Sequence, residues 1–128
     1  MPATLDQLDE IKERLGCSLP ADYRTFLIQG GSLDEFLGVD FLQLLPVDRL
    51  LPMNDAAQIQ SRFPGAFVIG GNGSREMLAY DFRDGQGGLV LLDITAPNWS
   101  SAIPQAENFT VFMDQFPCRG WYFGDDAE

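Results

Sequence analysis

The stretch IGGNGSREMLAYDF, residues 69–82, restricts the fold more than any other part of this chain. Leu78, Tyr80 and Phe82 alternate with Met77, Ala79 and Asp81, a period of two that belongs to an extended strand whose successive side chains point to opposite faces. Phe67 to Ile69 supplies a second apolar run before the glycines, and Asn72-Gly73 offers the positive-φ residues that a type I′ hairpin turn demands. The same glycines raise the question of a phosphate-binding loop. Such a loop needs a fixed glycine pattern leading into a helix N-terminus, where loop and helix N–H groups hold the anion together. Neither GxGxxG nor GxxxxGKS/T occurs here, and a strand follows where the helix would have to stand. The glycines predict a hairpin, not a nucleotide site.

Helical patterns flank this strand region. Thr4 with Gln7 forms a capping-box pair, Leu5, Leu8, Ile11 and Leu15 follow at helical spacing, and Gly16 ends the run. In LPADYRTFLIQGG, Pro20 takes the favoured first helical position, Tyr23, Phe26 and Leu27 share a face, and Gly30-Gly31 stops the helix. SLDEFLGVDFLQLL, broken by Gly38 and by acids, predicts two short strands. Pro46 and Pro52 punctuate the next segment, where VDRLL makes one helical turn and Asn54 caps a helix through DAAQIQSRF that ends before Pro64. Asp84-Gly85 supplies turn chemistry ahead of a strand through LVLLDI. TAPNWSSAIPQAEN reads as a polar loop. A last helix carries Phe109, Phe112, Met113 and Phe116 on one face and is closed by Pro117, before an acidic GDDAE end. The expected class is α+β, a central antiparallel sheet with helices from both ends packed against it. Residues 1–128 are expected to form a single domain, since no linker, repeat or low-complexity segment divides them.

Composition narrows the function classes. The chain has no histidine, which removes serine–histidine and cysteine–histidine dyads, histidine metal ligands and the usual general base. Cys17 and Cys118 match no metal spacing and read as reduced thiols. Eight basic and 19 acidic side chains give a formal net charge of −11, which disfavours nucleic acid and anionic membranes as partners and favours a basic one; acidity that only maintains solubility is the competing explanation. No apolar run has the length of a membrane span and MPATLDQLDEIKERLG lacks the apolar core of a signal peptide, so a cytoplasmic protein without cofactor or metal is expected.

Three blocks in order, LGCSLPADYRTFLIQGG, IGGNGSREMLAYDF and AENFTVFMDQF, resemble the SUKH superfamily, the SMI1/KNR4-like domain of cell-wall assembly regulators. The resemblance rests on Leu15-Gly16, Leu19-Pro20, Asp22-Tyr23, Phe26-Leu27 and Gly30-Gly31 in the first block, and on Gly70, Asn72-Gly73, Glu76 and Ala79-Tyr80-Asp81 in the second. In the third, an Asn-Phe pair precedes Phe112-Met113. Gln29 stands where the family carries asparagine, and Arg75 where a glycine is common. The resemblance implies an α+β domain used for binding, and many bacterial members look like immunity proteins encoded beside polymorphic toxins. A cognate toxin, or another basic protein, is then the expected partner. A nuclease toxin has a basic substrate groove that an acidic protein occupies by imitating phosphate charge. A regulatory scaffold domain that docks a cellular protein is the alternative, and a carboxylate-based hydrolase the remote one.

Candidate partner-binding residues are Asp34, Glu35, Asp40, Asp48 and Asp55, which together would make an exposed acidic surface, with dispersed solubility charge as the simpler account. Glu76, at the rim of the sheet in the family pattern, offers either a partner contact or a cross-strand ion pair with Arg75 or Arg83. Trp99 either anchors an interface or covers the edge of the core. Asp22 is expected to serve the helix dipole, and Asp81 and Asp84 to serve a turn rather than calcium.

Overall fold

The computed structural model describes residues 3–16, 18–38, 40–55, 59–83, 87–96 and 98–122. Helix α1, Leu5–Leu15, begins with the reciprocal cap: the Gln7 N–H donates to Thr4 Oγ1 at 3.2 Å and the Thr4 N–H to Gln7 Oε1 at 2.9 Å. It ends at Gly16, whose φ of 80° is the left-handed conformation that glycine adopts without a side-chain clash. Helix α2, Ala21–Ile28, follows Pro20 and buries Tyr23 and Leu27. Strands β1, Leu33–Leu37, and β2, Asp40–Leu44, pair around Gly38.

Helix α3, Val47–Asp55, and the short α4, Ile59–Arg62, precede β3, Ala66–Gly71, β4, Glu76–Asp81, and β5, Gly88–Asp93. A 3-10 turn at Trp99–Ser101 leads into β6, Ile103–Ala106, and helix α5 covers Phe109–Arg119. The six strands form one antiparallel sheet in sequence order, β1 to β6, the α+β arrangement expected from the sequence.

Each face of the sheet has its own apolar cluster. On the first face, Leu42, Leu44, Phe67, Ile69, Leu78, Tyr80, Leu89 and Leu91 pack against Ile11 of α1, Tyr23 and Leu27 of α2, and Phe109, Phe112 and Phe116 of α5. On the second, Val68, Met77, Ala79, Val90 and Leu92 pack against Ile59 and Phe63 of the α4 segment. This two-sided cover explains the near-continuous burial of β3, β4 and β5.

Four local expectations are corrected. The β3–β4 connection is a four-residue loop, 72–75, rather than a two-residue turn: Asn72 Oδ1 accepts from the Ser74 N–H at 2.9 Å and folds the chain locally, and only then does Glu76 open β4. Asn54 does not cap a second helix. It lies buried in the last turn of α3, where Nδ2 donates to the Leu50 and Val68 carbonyls at 2.8 and 2.9 Å and Oδ1 accepts from the Val68 N–H at 2.6 Å. These bonds let a polar side chain sit in the core and pin α3 to β3. Pro52 and Pro117 lie inside α3 and α5 instead of ending them, because packing outweighs the lost intrahelical bond. TAPNWSSAIPQAEN holds the 3-10 turn and β6 rather than loop alone. The Asp84-Gly85 turn, Cys17 and the GDDAE end lie outside the described residues.

The glycines after Ile69 have a packing role. Between Val68 and Gly70 the β3–β4 register shifts, so Ile69 is an extra residue in a bulge. A Cβ on Gly70 would overlap the Gln43 carbonyl of β2, and one on Gly71 the Glu76 carbonyl of β4. The backbones approach too closely there for any side chain.

Candidate protein-binding surface

The second apolar cluster stops at β3: it contains no residue of β1 or β2. The register shows what those two strands present on the same face. Gly71 pairs with Met77 of that cluster, Gln43 pairs with Gly71, and Asp34 pairs with Gln43. By alternation, Phe36 and Phe41 share the face with Asp34 and Gln43. Phe36 and Phe41 are themselves paired, with ring centroids 5.3 Å apart in an edge-to-face contact. Phe41 is half-buried against Gly73, whereas Phe36 is 68% exposed. The two rings form a small aromatic patch on the open face of the hairpin.

Asp34 and Glu35 flank this aromatic on the outermost strand. Both are exposed, one on each face of β1, and neither carboxylate makes a hydrogen bond or ion pair among the described residues. Towards the start of β1 the edge opens into a depression of about 340 Å³ lined by Asp34, Glu35, Gln43 and Arg49. The structure therefore combines a free edge, an aromatic ring and two unengaged carboxylates in one place.

The other candidate carboxylates are held elsewhere. Asp40, on the first face at the start of β2, accepts the Trp121 N–H on Oδ2 at 2.8 Å and fixes the chain after α5 across the end of the sheet. Asp48 is exposed in the first turn of α3, where a carboxylate suits the helix N-terminus. Asp55 closes α3 in a surface ion pair with Arg14 of α1. Glu76 is half-buried, and its Oε1 accepts from Asn72 Nδ2 at 2.6 Å, so its partner is the hairpin loop rather than a cross-strand arginine.

Trp99 packs edge-to-face on Phe63 at 6.0 Å, donates from Nε1 to the Pro64 carbonyl at 2.9 Å, and carries the Arg83 guanidinium 3.8 Å above its ring. Arg83 also grips both oxygens of Asp81 at 2.9 and 2.8 Å. That pairing and the Asp81 Oδ1 bond to the Arg83 N–H depress the Asp81 carboxyl below the usual range. Glu76 and Asp81 stand at the two ends of β4, about 17 Å apart at the rise of an antiparallel strand, so Trp99 and Glu76 do not share a site.

Phe36 was not singled out by sequence reasoning. Its place beside Asp34 on one face follows from strand alternation, but its exposure follows from β1 being an edge strand whose Phe36 face the second apolar cluster does not reach. Among the described residues no cluster of His, Cys, Asp and Glu is placed to hold a metal, and no helix is long and apolar enough to cross a membrane.

Comparison with known proteins adds two findings. The chain matches the SMI1 / KNR4 family (SUKH-1) over residues 2–115. It is also 27% identical over 117 residues to the uncharacterized protein YnaB of Bacillus subtilis (strain 168), a match covering 88% of this chain and 75% of that protein.

Proposed function

The chain belongs to the SMI1 / KNR4 family (SUKH-1), and from that premise we propose that it is a non-catalytic, cytoplasmic protein-binding domain of the immunity type, which neutralises a cognate toxin by direct contact through an acidic face. The observation that carries this reading is the β1 edge, where Asp34 and Glu35 are free to meet cations and Phe36 is exposed between them and the end of the strand. An aromatic flanked by unpaired acids suits a basic protein surface: the ring provides desolvated contact and the acids steer the approach. The net charge of −11 extends that steering beyond the contact itself. A nuclease toxin is the partner class that fits best, because its substrate groove is already selected for negative charge. Binding then excludes substrate and requires no chemistry from this chain.

The test begins with the purified chain immobilised and exposed to lysate of its source cells, followed by elution along a salt gradient and mass spectrometry. A stoichiometric basic protein released at high salt is then expressed alone and together with this chain. Growth arrest by that protein, relieved by co-expression, is the expected result. A captured protein whose expression is harmless would replace the immunity reading with a scaffold role.

A further inference from the structure

Resting on the protein-binding reading, we infer that β1 is the docking strand itself: the partner adds an extended basic segment to the edge of the sheet as a seventh strand.

The hydrogen-bonding phase of the hairpin fixes which groups are available. Leu37 pairs with Asp40 across a two-residue connection, which closes on a hydrogen-bonded pair, and the phase alternates from there. Glu35–Leu42 and Leu33–Leu44 are then hydrogen-bonded pairs, while Phe36–Phe41 and Asp34–Gln43 are not. The N–H and C=O groups of Asp34 and Phe36 consequently point outward from the sheet. Among the described residues no backbone hydrogen bond from outside the ladder reaches them. The strand offers a short ladder of free donors and acceptors.

The two edges of the sheet are treated differently. β6 contains Pro104, pairs with β5 through a register shift, and is tied at Gln105 to the Tyr122 backbone, with Oε1 accepting from its N–H at 3.0 Å and Nε2 donating to its carbonyl at 2.7 Å. Proline, a bulge and a covering segment are the usual means of closing an edge. Among the described residues β1 has none of them: it pairs with β2 in five consecutive regular steps and contains no proline. Acids alone would guard it, but an exposed phenylalanine on a guarded edge works against that protection.

Charge selects the occupant. A strand laid along β1 sets its alternate side chains beside Asp34 and Phe36 on one face and beside Glu35 on the other. Arg or Lys next to the carboxylates and an apolar residue or Arg over the ring match all three. A second copy of this chain does not match, because antiparallel pairing centred on Glu35 sets two glutamates side by side and each copy carries −11.

The decisive experiment uses the intact, isotope-labelled chain and a synthetic peptide of alternating Arg and Val, with hydrogen exchange followed residue by residue. Strand addition slows exchange of the Asp34 and Phe36 amides about tenfold at a peptide concentration ten times the dissociation constant. The same peptide N-methylated at every residue, which keeps its charge and can pair through neither edge, leaves those amides unchanged. Equal effects from both peptides would mean that charge binds without strand pairing; the inference then falls and the protein-binding reading stands. No effect from either peptide also overturns it. So does slow exchange that appears without peptide as protein concentration rises, since the occupant is then a second copy.

Discussion

The carboxylate of Asp22 joins the N-termini of two helices: its Oδ2 accepts from both the backbone N–H and the hydroxyl of Thr110, each at 3.0 Å, while Oδ1 accepts from the Tyr23 N–H at 2.8 Å. Asp22 lies in the first turn of α2 and Thr110 in the first turn of α5, 88 residues apart. One negative charge therefore satisfies open N–H groups at two positive helix ends. Replacing Asp22 with Ala removes charged hydrogen bonds from both helices and should cost about 1–3 kcal/mol, seen as a lower urea midpoint at unchanged slope. Thr110→Val, which keeps the backbone bond, should cost less. The double variant should lose less than the sum of the two, because the hydroxyl has no partner once Asp22 is gone.

Gly70 and Gly71 give the sharpest contrast with an ordinary turn glycine. Gly70→Ala forces β2 and β3 apart where a Cβ has no space, and should destabilise by about 2–4 kcal/mol or prevent folding. Gly16→Ala meets open space and only the strain of a φ of 80°, so a loss of about 1 kcal/mol is expected. Equal thermal stability of the two variants would contradict the close-approach explanation.

Much of the sheet could be read from period-two alternation around these glycines, and α1 from the Thr4–Gln7 box, because both signals are local. What escaped was set by distant residues. Asn54 carries an N-cap signature, yet the Val68 backbone across the core captures its side chain. Pro117 looks like a helix end, but Phe116 and the buried Trp121 keep the segment folded beyond it, with ring centroids 4.9 Å apart. β6 has no apolar alternation because its pairing with β5 supplies the order. At the candidate surface, Asp34 and Glu35 were visible as acids, while the role of Phe36 depended on β1 lying at the edge.

Tyr23 and Tyr80 meet in the core with ring centroids 5.5 Å apart, and neither buried hydroxyl has a hydrogen-bond partner among the described residues. Burial pushes both phenols up, because desolvation disfavours the ionised form. A buried hydroxyl without a partner opposes folding. Tyr80→Phe should thus leave stability unchanged or raise it by about 1 kcal/mol, measured by chemical denaturation. A loss above about 1 kcal/mol would show that the hydroxyl is bonded in solution.

Without histidine, no side chain with an ordinary pKa titrates between about pH 5.5 and 7, and stability should be nearly flat there. Below that range Asp81 contributes a defined slope. Its folded-state pKa is depressed by Arg83, so its stabilising effect is present above the unfolded value of about 3.9 and is lost as pH falls through the lower folded value. Asp93, depressed by its bonds from the Thr95 N–H and hydroxyl at 2.8 and 2.7 Å, acts in the same direction. Asp81→Asn should be less stable than the parent at pH 7, and the gap should close below about pH 3.9. A gap that persists to pH 2 would assign the difference to the placement of Arg83 over Trp99 rather than to charge.

Reversing Asp34 and Glu35 together to lysine separates a binding role from simple solubility. Both carboxylates are exposed and unpaired among the described residues, so the variant should fold with an unchanged circular dichroism spectrum and a melting temperature within a few degrees of the parent. Against the captured basic partner, its association rate should fall about tenfold or more at low salt, with a smaller change in dissociation. At 1 M salt, where screening acts within about 3 Å, most of that difference should vanish. The matching reversal of Asp9 and Glu13, both exposed on α1, changes net charge by the same amount and serves as the control. If it slows association equally, only the overall charge steers the partner; a selective effect at Asp34 and Glu35 places the contact at the β1 edge.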